Sequence, residues 1–137
     1  MPADVLLVED SDVHVEFTRL AFEREGSPVK LRVVRDGEHA LEALEERPDH
    51  PPALIILDLG LPRMSGFDVL RAVRAHESVR IRRVPVVVLT TSRAPEDVQR
   101  AYDLAASSFV SKPLHLDDFV ALIDDLRAWW LGRVELP

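Results

Sequence analysis

The 137-residue sequence predicts an α/β fold in which an open, doubly wound parallel sheet of five strands carries helices on both faces. Three observations lead there. Short apolar runs recur along the chain, too continuous for strands with one wet face. Segments with apolar residues at three- and four-residue spacing separate these runs. The connections between the two kinds of segment are short, as expected of repeated βα units.

Taken in order, Val5-Leu6-Leu7-Val8 reads as a strand buried on both faces, followed by a helix carrying Val13, Phe17, Leu20 and Ala21 behind a Ser11 or Asp12 cap. Leu31-Arg32-Val33-Val34 is a weaker strand suited to an edge, and Asp36 caps a second helix with Ala40, Leu41 and Leu44. Leu54-Ile55-Ile56-Leu57 is the third strand; Ser65 caps a third helix with Phe67, Leu70 and Val73. The stretch from His76 to Val84 contains Arg80, Arg82 and Arg83 and is expected to be a basic surface loop. Val86-Val87-Val88-Leu89 is the fourth strand, and Pro95 suits the first turn of a fourth helix with Val98, Ala101, Tyr102 and Ala105. Ser108-Phe109-Val110-Ser111 is a weak fifth strand. The last helix aligns Phe119, Leu122, Ile123, Leu126 and Trp130 opposite Asp117, Asp118, Asp124 and Asp125. Trp129 and Trp130 cannot both face one core, so one is expected to be an exposed contact. Five βα units with right-handed crossovers point to a flavodoxin-like strand order, 2-1-3-4-5, with five helices.

Composition narrows the function. With 17 basic against 24 acidic residues and a net charge of −7, the surface repels nucleic-acid phosphates. There is no cysteine, which excludes disulfides, thiolate metal sites and thiol nucleophiles. No apolar stretch approaches the roughly 18 residues of a membrane span, and no basic leader precedes the first strand, so no membrane partner and a cytoplasmic location are expected. The length suits one domain over residues 1–137, without an output domain. The five histidines, His14, His39, His50, His76 and His115, show no ligand spacing and are expected at the surface.

In a doubly wound sheet, ligands bind beyond the carboxyl ends of the strands, so the residues just after each apolar run matter most. They are Glu9-Asp10, Asp58 and Thr90. Three acids converging from two neighbouring strands repel one another and call for a positive counter-charge. Hard oxygen donors without cysteine favour magnesium. Lys112, ahead of Pro113 after the fifth strand, adds a fixed cation at the same edge, and Thr90 a hydroxyl donor. A carboxylate nucleophile, a divalent ion, a hydroxyl and a lysine are the minimum equipment for in-line phosphoryl transfer onto Asp58. Taken singly, each residue has a plainer reading: Glu9-Asp10 as a solvated cap, Thr90 as a turn cap, Phe109 as core, Lys112 as a structural ion pair. Pro113 is a candidate for a cis peptide bond.

These residues resemble the response-regulator receiver family. There an acidic pair follows the first strand, the phosphoacceptor Asp the third, Thr or Ser the fourth and Lys-Pro the fifth, and the segment Asp58 to Gly66 resembles that family's loop after the acceptor. The resemblance implies that Asp10, Asp58 and the Gly60 carbonyl bind magnesium directly, with Glu9 acting mainly through a coordinated water. It implies that Thr90 and Lys112 hold the phosphoryl oxygens and that Thr90 and Phe109 act as switch residues, altering the surface of the fourth helix, fifth strand and fifth helix. Val88-Leu89-Thr90-Thr91-Ser92 and the long connection before Pro85 are similar to the small regulators that partner bacterial phytochromes, implying a sensor histidine kinase partner. Separately, the exposed aromatic surface at Trp129 and Trp130 predicts a homodimer or kinase contact through the C-terminal helix region, a surface that a folded-back tail would also cover. Thr91 and Ala105 depart from that family's commoner Ala and Gly. The alternatives are a phosphorylation-independent scaffold, against which all the acids are retained, and an aspartyl-phosphate phosphatase. The latter would need a second carboxylate where Leu59 and Gly60 stand.

Overall fold

A computed structural model describes residues 4–24 and 29–137. The chain runs β1 (Asp4–Val8), α1 (Asp12–Arg24), β2 (Lys30–Val34), α2 (Gly37–Glu46), β3 (Leu54–Leu57), α3 (Gly66–Arg74), α4 (Val79–Arg82), β4 (Val86–Thr90), α5 (Pro95–Asp103), β5 (Ser108–Ser111) and α6 (Leu116–Gly132). The five strands form one parallel sheet in the order β2-β1-β3-β4-β5. The expected order is therefore found, and the two weaker runs are the edge strands.

Successive side chains of the central strands point to opposite faces, which divides the core in two. Leu6, Val8, Ile55, Leu57, Val86 and Val88 pack with Ala40 and Leu44 of α2, Phe67 and Leu70 of α3 and Ala101 of α5. Val5, Leu7, Leu54, Ile56, Val87 and Leu89 pack with Val15 and Phe22 of α1 and Phe119, Ile123 and Leu126 of α6. Among the described residues no helix is long and apolar enough to cross a membrane.

Capping follows the sequence signals. The Ser11 hydroxyl accepts from the His14 N–H at 3.3 Å, Asp36 from the His39 N–H at 2.8 Å and Ser65 from the Asp68 N–H at 3.3 Å. Pro95 occupies the first turn of α5.

Two expectations require correction. The basic stretch before β4 is not simply a loop but contains α4, capped by Ser78, which brings the described helices to six rather than five. Ile81 on this turn is fully buried and anchors it to the core. Arg74 closes the same corner, donating to the carbonyls of Ala105, Arg82 and Val84 at 2.9, 2.9 and 2.6 Å. Pro113 follows a trans bond, and no cis peptide bond occurs among the described residues. At the C-terminal end, Trp129 is 59% exposed while Trp130 packs against the α1–α6 side of the core.

Candidate functional site

Parallel pairing brings the strand ends into register: Val8 lies opposite Leu57, so the residues after them emerge side by side. The Asp58 N–H donates to the Val8 carbonyl at 3.0 Å, the Glu9 N–H to Val34 at 3.0 Å and the Lys112 N–H to Thr90 at 2.7 Å. These bonds extend the ladders one residue past the strands and fix the backbones that carry Glu9, Asp58 and Lys112. Glu9, Asp58, Thr90 and Lys112 are all buried, whereas Asp10 is exposed.

The loop after Asp58 is held from two sides. The Gly66 N–H donates to the Leu59 carbonyl at 3.0 Å, and a methyl group in place of the Gly66 hydrogen would lie 2.3 Å from the Asp58 carbonyl oxygen. Only glycine permits so close a backbone approach. Arg63, at a φ of 63°, donates to Asp36 Oδ2 at 3.0 Å and ties the loop to the start of α2. Gly60 sits beside the carboxylate: a methyl group there would be 4.0 Å from Asp58 Oδ2.

Lys112 Nζ lies 2.5 Å from Glu9 Oε1 and 3.3 Å from Asp58 Oδ2. Burial is the largest influence on Glu9 and, with the charge of Asp58 and against the lysine's hydrogen bond, pushes its carboxyl up to about 7. Asp58 goes the other way. Burial opposes its ionisation, but the Lys112 charge and hydrogen bonds from Glu9, Thr90 and Lys112 outweigh it and hold the carboxyl below its ordinary value. The two buried acids are thus pushed in opposite directions, Glu9 toward its protonated form and Asp58 toward its ionised form.

One carboxylate oxygen each from Glu9, Asp10 and Asp58 lies within 4.8 Å of the others. Three hard oxygen donors at this spacing suit a divalent cation that keeps several water ligands.

The structure thus brings Glu9, Asp10, Asp58, Gly60, Thr90 and Lys112 together. Phe109 stands apart from the acids: it is half-buried against the α2–α3–α5 side of the core, and its N–H donates to the Tyr102 hydroxyl at 3.1 Å. The Thr90 hydroxyl also accepts from the Ser92 N–H at 3.5 Å, a link into the connection that precedes α5.

Sequence reasoning missed His14. Expected at the surface, it is half-buried, with Nδ1 3.0 Å from Lys112 Nζ and 3.7 Å from Glu9 Oε1. Burial, and then the nearby ammonium, lower its pKa. The available signal was its place in the first turn of the helix that follows the acidic pair. A cleft of about 710 Å³ lined by Lys30, Arg47, Arg80, Arg83 and Pro137 lies at the amino ends of the strands and takes no part in this site.

The response regulator receiver domain family matches residues 5–124. The chain belongs to this family. It is therefore related to two-component signalling domains, and its acidic cluster fits the divalent-metal site of receivers. Among its relatives is the probable methanogenesis regulatory protein FilR2 of Methanothrix harundinacea, 38% identical over 99% of this chain and 88% of that protein. The Mn(2+)-bound form of response regulator Rcp1, a Synechocystis protein, superposes with a TM-score of 0.89 at 32% identity, covering 99% of both chains. The phosphorylated cyanobacterial phytochrome response regulator RcpA superposes with a TM-score of 0.93 at 29% identity, over 100% of this chain and 99% of the other.

Proposed function

We propose that this chain is a single-domain response regulator that accepts a phosphoryl group on Asp58 from a sensor histidine kinase, one of phytochrome type. The observation that carries this reading is the setting of Asp58: a buried carboxylate 3.3 Å from the Lys112 ammonium, whose charge favours the ionised form, with oxygens of two further acids within 4.8 Å. An ionised oxygen is what nucleophilic attack on phosphorus requires. The likeness to the phytochrome response regulator RcpA over essentially whole chains supports the phytochrome partnership.

In transfer, an Asp58 oxygen bonds to phosphorus as the bond from phosphorus to the kinase histidine breaks, the ring nitrogen keeping the electron pair. Asp10, Asp58 and the Gly60 carbonyl, with Glu9 in support, would hold a magnesium ion, which would supply positive charge for the phosphoryl oxygens. Lys112 and Thr90 donate to those oxygens. The domain promotes only its own modification. A phosphoryl group that draws the Thr90 hydroxyl toward itself moves that oxygen away from the Ser92 N–H it accepts from, and so biases the connection into α5, with Phe109 and Tyr102 beyond it. The output is a changed α5–β5–α6 surface, in the cytoplasm, with self-association through the region of Trp129.

Mass spectrometry after incubation with acetyl phosphate and magnesium tests this reading. A single phosphate on the native chain, lost in Asp58→Asn and in an EDTA control, is the expected result. An unmodified native chain would turn the reading toward a phosphorylation-independent scaffold.

A further inference from the structure

Lys112 approaches Asp58 by one donor direction while its other partners lie elsewhere. An ammonium has three N–H donors and no acceptor. Here Nζ faces Glu9 Oε1 at 2.5 Å, His14 Nδ1 at 3.0 Å and Asp58 Oδ2 at 3.3 Å. Because the lysine can only donate, Nδ1 of His14 is the acceptor and the ring proton resides on Nε2. The ring itself is fixed by α6: it stacks on Phe119 with centroids 5.3 Å apart and planes inclined by 17°. Phe119 is 1% exposed, so this backing is part of the core.

We propose that His14 is a positioning residue for phosphoryl transfer at Asp58, its Nδ1 lone pair holding the Lys112 ammonium so that one N–H stays aimed at the reacting carboxylate. Without it, a flexible four-carbon stem carries a point charge whose shortest contact is Glu9, and the ammonium is free to settle on that acid. With Glu9 and His14 occupying two donors, the third is directed to the Asp58 oxygen in the resting protein and to a phosphoryl oxygen during transfer. The covalent step is unchanged: the Asp58 oxygen bonds to phosphorus, the donor's bond to phosphorus breaks, and the leaving group keeps the electron pair. His14 neither gains nor loses a proton.

This inference rests on Asp58 being the phosphoacceptor, and two substitutions separate the imidazole's two features. His14→Phe keeps a ring to stack on Phe119 and removes the acceptor. His14→Asn discards the ring and places an amide oxygen close to the position of Nδ1. Initial rates of aspartyl-phosphate formation from acetyl phosphate with magnesium are compared for the native chain and both variants, with thermal unfolding as the check on folding. The expected result is a roughly tenfold slower His14→Phe and a His14→Asn within about twofold of native, the scale of one charge-assisted hydrogen bond. A His14→Phe variant as fast as native, or both variants slowed alike, overturns the inference while leaving Asp58 as acceptor. A native chain that takes no phosphate overturns both.

Discussion

Ala105 ends α5 with a φ of 67°, in the left-handed region that favours glycine. The Ala106 N–H donates to the Ala101 carbonyl at 3.0 Å and the Ala105 N–H to the Tyr102 carbonyl at 2.9 Å, the paired bonds of a Schellman cap. An alanine methyl costs about 1 kcal/mol in this conformation, partly offset by the smaller entropy of its unfolded chain. Ala105→Gly is therefore expected to stabilise the fold by about 0.5–1 kcal/mol, read as a higher urea midpoint at unchanged slope. A lowered midpoint would show that unfolded-chain entropy dominates here. The departure from the family's glycine was visible in the sequence; the φ that gives it energetic meaning was not. The acids were legible one by one, because each directly follows an apolar strand and a parallel sheet delivers all such residues to one edge. His14 was not, since its decisive partner Lys112 is 98 positions away and the two meet only once α1 packs over the sheet that carries Lys112 past the end of β5.

The elements read from the sequence to the degree that their burial was continuous. β1, β3 and β4 are covered on both faces and appear as unbroken apolar runs, while β2 and β5 at the edges are diluted by Arg32, Ser108 and Ser111. α4 escaped because a single turn has no period to detect: Ile81 is its one buried residue, set among Arg80, Arg82 and Arg83. That residue nevertheless holds the turn to the core beside Val84, with Arg74 fastening the carbonyls around it. Ile81→Ala is expected to cost about 2–4 kcal/mol in urea unfolding, the range for a fully buried Ile with limited collapse around the cavity. Because α4 lies ahead of the amino end of β4 and the acids stand at the opposite ends of the strands, the phosphorylation rate per folded molecule should not change. A loss of less than about 1 kcal/mol would mean that the corner relaxes to fill the space. A slowed reaction would mean that the sheet transmits the strain to Asp58.

At the scale of the whole molecule, the two halves of the core divide the labour. The face covered by α2, α3 and α5 carries Phe109 and the connection from Thr90, whereas the face covered by α1 and α6 backs His14 through Phe119 and leaves Trp129 outward. Val13 and Leu20 of α1, 57% and 42% exposed, add apolar surface to the helices of that second face. Self-association there must overcome a net charge of −7 on each copy, a repulsion screened beyond about 10 Å at 0.1 M salt. The proposed dimer should therefore tighten as salt rises, opposite to an interface held by ion pairs. Trp130 packs inward, so Trp129→Ala alone tests the outward surface without cutting into the core. In light scattering across a concentration series, the native chain should dimerise and Trp129→Ala should weaken the dimer by about 2 kcal/mol, roughly thirtyfold in Kd, as for an aromatic anchor. A native chain that stays monomeric at every salt concentration would remove self-association and leave the tryptophan as a contact for the kinase. A dimer indifferent to Trp129 would move the interface to another face of the domain.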